Sequence, residues 1–306
     1  MKILATGGAP EWVAEELKLK GHELVTVAAD AYVDEQKFID GIQGFDVYIS
    51  GGLETCTKAV IEAADQLKAI GFLGVDPKNY IDLEAAAAKN IPVYTTPGAN
   101  ARAVAELSIL LTLNAVRKTV KMFATLQNKQ WQNETGFELQ GKTIGLIGSG
   151  PIAQHVSKIA QGFDMRVLYW TRSGEKSSMA GQYVELDDLF KSSDIVSLHV
   201  PKDAGTIIDK SALETFKDGA VLINTAPAVL VDYPALYDAL SSKKLACAAF
   251  DCFYSEGEKA FTCEEAKLLE LGPDRFFISP HAGWRTVEAD NNMFRMVLDS
   301  ISEVIK

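Results

Sequence analysis

The sequence predicts an α/β protein built from two parallel-sheet units, and three observations carry that expectation. Strand-like and helix-like stretches alternate through the first hundred residues. After a long helical stretch the alternation starts again at Thr143. A last helical stretch then follows the second series with no strand of its own. Alternation of this kind gives a parallel sheet covered by helices on both faces. A chain of 306 residues is also long for a single core.

In the first series, strands are expected at 2–6, 23–27, 47–50, 69–73 and 93–95, and helices at 10–20, 34–42, 58–66 and 83–89. Pro97 and Gly98 break the pattern. From Ala101 to about Asn128 one long helix is expected, with Val104, Leu107, Leu110 and Leu111 forming its apolar stripe. The second series has strands at 143–147, 166–170, 195–198, 220–224, 246–250 and 276–279, which predicts a six-stranded sheet. From Val287 to Ile305, Met293, Met296, Val297 and Ile301 keep helical spacing. Lacking a strand partner, this helix is expected to return to the first unit. The first unit would then be split, comprising 1–100 plus 284–306, with 101–283 inserted and a cleft between the two.

Composition narrows the class. The chain is 47% hydrophobic and 23% charged, as in globular proteins, and no apolar run approaches the roughly 20 residues that span a bilayer. MKILATGG reads as a strand and not as a signal peptide, because polar and acidic residues follow at once. Cys56, Cys247, Cys252 and Cys263 lack paired metal spacing and read as free thiols of a cytoplasmic protein, with no metal expected. The net charge of −11 argues against nucleic acid but not against a small anionic substrate, which local groups decide.

The most informative run is TIGLIGSGPIA at 143–153. A short apolar strand enters Gly148-Ser149-Gly150-Pro151-Ile152-Ala153. Gly148 permits a tight strand-to-helix turn, Gly150 lets a pyrophosphate approach the backbone, and Ala153 lets the helix pack close to the strand. Pro151 suits the first helical turn, and the N–H groups there attract an anion. The six expected strands then fit a dinucleotide-binding sheet. NAD-preferring folds place an acidic residue at the end of the next strand. Here Thr171-Arg172-Ser173 stands instead, and a guanidinium suits a 2′-phosphate. NADP(H) is therefore expected over NAD(H).

The chain holds four histidines. His22 falls in a turn and His155 on the helix after the glycines, so both read as structural. His199, in LHVP, ends a strand where a cofactor would be lined. His281, in SPHAGW, follows a strand and precedes a helix, at the sheet edge where open α/β folds hold ligands. An imidazole there can exchange the proton that accompanies hydride transfer.

With these residues in place the chain resembles the D-isomer-specific 2-hydroxyacid dehydrogenase family. The resemblance rests on LKAIGFLGVDPKNYIDLEAA, PGANARAVAE, GKTIGLIGSGPIA, SDIVSLHVP, GAVLINTAPAVLVDYPALYDAL, AAFDCF and SPHAGW, in the family's order. It implies a Rossmann dinucleotide-binding domain inserted in a flavodoxin-like split substrate domain, and a homodimer. It implies His281 as acid/base, Glu256 as its carboxylate partner, and Asp251 as the acidic residue near the nicotinamide. It also implies that Leu73, Gly74 and Val75 form the loop whose N–H groups hold the substrate carboxylate. His199, Val200, Pro201, Thr206, Thr225, Ala226 and Gly283 would line the cofactor.

One departure matters most. The family's arginine, in a motif close to INTARG, grips the carboxylate and polarises the C2 carbonyl. Here the position is Pro227, within Asn224-Thr225-Ala226-Pro227. Gly257 also stands where the family has proline, 77–80 holds extra residues, and the segment after Pro201 is short. Three readings follow. Arg285 or Arg102 supplies the cation, or the substrate needs none, or the protein binds nicotinamide nucleotide with weak or no dehydrogenase activity. The preferred reading is a cytoplasmic NAD(P)-dependent reductase or dehydrogenase of small 2-oxo or 2-hydroxy acids.

Overall fold

The computed structural model describes residues 1–254 and 263–304. The chain divides into two compact units: Met1–Asn100 together with the segment from Arg285 onward, and Ala101–Trp284.

The first unit runs β1 (Lys2–Thr6), α1 (Glu11–Leu19), β2 (Glu23–Val27), α2 (Glu35–Gly41), β3 (Val47–Ser50), α3 (Lys58–Ala63), β4 (Ala69–Phe72), α4 (Leu83–Ala88) and β5 (Val93–Tyr94). Its strands are parallel in the order β2-β1-β3-β4-β5. Side-chain caps start three of these four helices. Asp34, Thr57 and Asp82 accept hydrogen bonds from the backbone N–H groups of Lys37, Val60 and Ala85. Such caps contribute about 1 kcal/mol each. The inner strand β3 is buried at every position, as expected for a strand covered on both faces. One face of the sheet packs Leu4, Tyr48 and Ile70 against Phe38, Val60 and Ile61.

The second unit opens with α5 (Ala101–Arg117) and α6 (Thr119–Gln127). It continues with β6 (Thr143–Ile147), α7 (Pro151–Gly162), β7 (Arg166–Trp170), β8 (Gln182–Tyr183), α8 (Leu186–Ser192) and β9 (Ile195–Leu198). Then come α9 (Lys210–Thr215), β10 (Ala220–Asn224), α10 (Tyr233–Ser241), β11 (Leu245–Phe250), α11 (Cys263–Glu270) and β12 (Phe276–Ile278). The parallel order is β12-β11-β10-β9-β6-β7-β8. α12 (Val287–Ile301) belongs to the first unit. Its Phe294, Val297, Leu298 and Ile301 pack on Ile3, Ala5, Val47 and Ile49, the second face of that sheet.

Two expectations are corrected. The second sheet has seven strands among the described residues, because β8 adds a two-residue edge that carries no strand-length pattern. The long helix ends at Arg117. Lys118 takes a left-handed backbone, φ +53°, and α6 starts beyond it. The physical reason is burial. α5 buries ten residues along its length while α6 buries none, so nothing forces one continuous axis. Phe123 and Leu126 of α6 are exposed.

Candidate active site

In a doubly wound sheet, ligands bind where the strand order reverses, outside the carboxyl ends of the strands. In the second unit that point lies between β6 and β9, the neighbours from which the chain winds outward in both directions. Gly148 ends β6 with φ +119°, a region that favours glycine, and its N–H donates to Trp170 O at 2.8 Å. A Cβ there would lie 2.3 Å from the His199 carbonyl. Both conformation and space therefore demand glycine. Gly150 differs: a Cβ there would meet nothing within 4 Å. Its small size is not a packing requirement, and the backbone stays open to an incoming group. Gly150 caps the twelve-residue α7 without any side-chain acceptor, with Pro151 in the first turn. The orphan N–H groups of that turn face outward with the positive end of the helix dipole. Ser149 O accepts from Gln154 Nε2 at 2.9 Å, and Ala153 is fully buried. This set fits a dinucleotide pyrophosphate.

β7 delivers Thr171, Arg172 and Ser173 to the same edge, the last two exposed. β9 delivers His199, Val200 and Pro201. His199 Nε2 lies 3.0 Å from Ser197 Oγ, while its Nδ1 is buried without a partner. Burial pushes the imidazole down to about 3, so it is neutral across the working range. Thr206 is exposed and donates to Val229 O at 3.3 Å. At the end of β10, Thr225 Oγ1 sits 2.9 Å from Ser108 Oγ of α5. Buried Asn224 accepts from Ala226 N–H at 2.9 Å and donates to Pro227 O at 3.4 Å.

The densest polar arrangement lies after β11 and β12. Asp251 is only 2% exposed, yet both its oxygens are engaged. Oδ1 accepts from Ser279 Oγ at 2.5 Å and from Ala282 N–H at 2.9 Å, and Oδ2 accepts from Gly283 N–H at 2.8 Å. The Asp251 carbonyl accepts from His281 N–H at 2.7 Å. His281 itself is exposed and holds a left-handed backbone, φ +50°. A left-handed non-glycine residue costs roughly 1–2 kcal/mol. Four hydrogen bonds accepted by one residue hold the turn in which this cost is met. Gly283 completes the turn, because a Cβ there would lie 2.8 Å from Asp251 Oδ2. The structure thus brings Asp251, His281 and Gly283 together, and separately Gly148 and His199. Glu256 lies outside the described residues.

In the first unit, Gly74 N–H donates to Phe72 O at 2.9 Å and Gly74 O accepts from Thr96 N–H at 2.8 Å. Leu73 N–H donates to Ser50 O at 3.0 Å. The next amide along the loop belongs to Val75, whose side chain is 59% exposed. Arg285 is exposed beside Thr286, the cap of α12; burial holds the Asp290 carboxyl above its ordinary range, and Arg285 offsets part of that rise. Arg102 is tied to Glu106 at 2.5 Å on the surface of α5. No group of three His, Cys, Asp or Glu side chains placed to hold a metal occurs among the described residues.

Sequence reasoning missed Asn224 as the shaper of its loop, Ser279 and Ser108 as partners, and the clamping role of Asp251. For Asn224, Asp251 and Ser279 the available signal was a polar residue at or near a strand end, and for Ser108 a polar residue on the apolar face of α5, where an unpaired polar group would be expensive.

Comparison with known proteins fits this geometry. Residues 109–283 match the D-isomer specific 2-hydroxyacid dehydrogenase, NAD binding domain, family. The hydroxypyruvate reductase of Thermotoga maritima is 35% identical over 297 residues, covering 96% of this chain and 94% of that protein. The D-3-phosphoglycerate dehydrogenase of Methanocaldococcus jannaschii is 35% identical over 314 residues, but this chain spans only 58% of its length. The crystal structure of D-2-hydroxyisocaproate dehydrogenase superimposes with a TM-score of 0.85 at 28% identity, covering 100% of this chain and 97% of that one. The glycine turn at the sheet's reversal point and these end-to-end matches lead to one conclusion: the chain belongs to the D-isomer specific 2-hydroxyacid dehydrogenase family, NAD-linked oxidoreductases of hydroxy acids.

Proposed function

We propose that the protein reduces a small 2-oxo acid, or oxidises the corresponding 2-hydroxy acid, with His281 as the acid/base group. The observation that carries this reading is the turn after β12. A buried carboxylate fixes the backbone of an exposed histidine at the ligand edge of a dinucleotide sheet. When bound, the nicotinamide supplies or accepts the hydride. His281 delivers a proton to the substrate's C2 oxygen in reduction and removes it in oxidation. Glu256 is the proposed partner that favours the imidazolium. The substrate carboxylate is received at the Leu73–Gly74–Val75 loop, where the Leu73 and Gly74 N–H groups are engaged with Ser50 O and Phe72 O and the Val75 N–H is the candidate donor, with Arg285 as the candidate for the charge that Pro227 does not supply. The first unit acts as substrate domain and the second as nucleotide domain.

We favour NADP(H) over NAD(H), because Arg172 and Ser173 stand where an acidic residue would select NAD. Ser149, Gly150, Pro151 and Ile152 receive the pyrophosphate, and His199, Val200, Pro201, Thr206, Thr225 and Ala226 line the remainder. A homodimer is supported by Leu110, Phe123, Leu126 and Trp131, exposed apolar side chains of one stretch of the nucleotide unit. Two buried free thiols, Cys56 and Cys247, support a cytoplasmic setting. No described helix is long and apolar enough to cross a membrane.

The test is oxidation of NADPH and NADH with glyoxylate, hydroxypyruvate and pyruvate, followed by nicotinamide absorbance. Turnover with at least one acid, abolished in His281→Ala while nucleotide affinity stays within about threefold, is the expected result. Tight nucleotide binding with no turnover on any acid would instead favour the second reading, a nucleotide-binding protein disabled at Pro227.

A further inference from the structure

The loop that carries Arg172 and Ser173 is closed by a single buried hydroxyl. Tyr169, on β7, is 1% exposed. Its hydroxyl accepts from the Lys176 N–H at 2.8 Å and donates to the Lys176 O at 3.1 Å. One side chain thereby pins both polar groups of a backbone seven residues ahead. Within the pinned segment, Gly174 N–H donates to Thr171 O at 3.0 Å, and Gly174 has φ +74°, so the tip is a tight turn. Beyond it, Met179 N–H donates to Lys176 O at 3.2 Å and Gln161 Nε2 to Ala180 O at 3.0 Å, leading the chain into β8. The Tyr169 ring is itself wedged edge-on against Tyr183 of β8, with centroids 5.7 Å apart. Arg172 and Ser173 stay exposed on the closed loop.

From this geometry we propose that Tyr169 is a positioning residue for selection of the 2′-phosphate. It holds the Thr171–Lys176 loop in one shape, so that the Arg172 guanidinium and Ser173 hydroxyl meet a phosphate without first being ordered. The proposal rests on the reading that this loop receives the adenosine 2′-phosphate. The physical basis is the cost of ordering. A loop fixed before binding does not have to lose conformational freedom on binding. Without the hydroxyl, the Lys176 N–H loses its acceptor and the loop is free to move. A ligand carrying the 2′-phosphate then bears the ordering cost. One lacking it makes few contacts there and is little affected.

The experiment measures affinity of the intact protein for NADPH and NADH by nucleotide fluorescence, in wild type, Tyr169→Phe and Arg172→Ala. Tyr169→Phe should weaken NADPH about five- to tenfold, roughly the loss of one net hydrogen bond, with NADH unchanged within about twofold. Arg172→Ala should weaken NADPH still more. If Arg172→Ala changes the NADPH/NADH ratio but Tyr169→Phe does not, or weakens both nucleotides equally, the role of Tyr169 is overturned and the phosphate reading stands. If Arg172→Ala leaves the ratio unchanged, the phosphate reading falls and the proposal with it. Amide hydrogen exchange of the unmodified protein gives a check that needs no variant. The Lys176 amide should be protected at least about tenfold over that of Glu175 before nucleotide is added, and an equally fast Lys176 amide would refute the clamp.

Discussion

Replacing Asp251 with asparagine tests whether a carboxylate holds the reactive turn. The wild-type side chain accepts three hydrogen bonds, at 2.5, 2.9 and 2.8 Å, while 2% exposed. Hydrogen bonds to a charged group contribute about 1.5–3 kcal/mol each. An asparagine can keep its oxygen toward Ser279 Oγ and Ala282 N–H, but its amide nitrogen then faces the Gly283 N–H, donor against donor. Two bonds lose their charge and the third becomes repulsive, a total of about 3 kcal/mol or more. The left-handed backbone of His281 adds its own roughly 1–2 kcal/mol of tension toward relaxation. If the turn relaxes, His281, the proposed proton donor, leaves its place, and about 3 kcal/mol corresponds to roughly a hundredfold in rate. The assay is kcat with saturating nucleotide and the best 2-oxo acid, beside nucleotide affinity by fluorescence. Asp251→Asn should lower kcat about 100-fold and leave nucleotide affinity within about threefold. A kcat within about threefold of wild type would refute the clamp. A large loss of nucleotide affinity with kcat preserved would show that Asp251 acts on the nicotinamide instead.

Three further outcomes are expected. His199 is depressed to about 3 by burial, so below about pH 6.5 the unfolded chain takes a proton that the folded one refuses. Stability should therefore fall by about 1.4 kcal/mol per pH unit, about 2 kcal/mol by pH 5. Urea unfolding of wild type and His199→Gln between pH 7 and 5 checks this, and equal slopes would contradict it. Burial pushes Cys56 and Cys247 up to about 12, so both thiols should resist alkylation at pH 8 until the protein is unfolded, as read by peptide mass spectrometry. A Phe123→Ser, Trp131→Ser double variant should elute as a monomer in light-scattering chromatography if those exposed rings pair two copies, and an unchanged dimer would place the interface elsewhere.

The parts of the molecule legible in sequence are those whose physics is local. Gly148 and Pro151 announce a strand-to-helix turn through their own backbone limits, and the caps at Asp34, Asp82 and Asp232 act within three residues. The clamp of Asp251 was not legible, because its partners lie 28 to 32 residues later and meet it only once β12 lies beside β11. The Tyr169 clamp escaped for a related reason: a tyrosine in RVLYW reads as core, and its ring is core, while the hydroxyl does separate work. The cluster around Glu54 is a third case. SGGLE reads as a loop, yet the buried carboxylate accepts from Thr6 Oγ1 at 2.5 Å and from the Tyr48 hydroxyl. It ties the end of β1 to β3, and it raises the tyrosine along with burial. The break at Lys118 also lacked a local signal, since lysine is an ordinary helix former and only the missing burial of α6 explains it.

On the proposed reading Pro227 stands where the family carries an arginine, and the hydrogen bonds of its loop say what a substitution there would disturb. Asn224 accepts from Ala226 N–H and donates to Pro227 O, which also accepts from Leu230 N–H at 3.2 Å. The proline has φ −55°, within its natural range, and leads into the short 3-10 turn Ala228–Leu230. Backbone and Asn224 therefore supply the loop's hydrogen bonds, and the half-buried proline ring at 227 supplies none. Pro227→Arg should then keep the loop, losing at most about 1 kcal/mol from the freer unfolded chain. Against that stands a gain of roughly 3–4 kcal/mol from a cation placed where charge develops. The added charge outweighs the lost rigidity, so kcat/KM on glyoxylate or pyruvate should rise about 100-fold or more, with thermal stability lowered by a few degrees at most. No gain in a folded Pro227→Arg variant would mean that the transition-state charge is already met by another group, and Arg285→Ala in the wild-type background would then be the variant that loses activity.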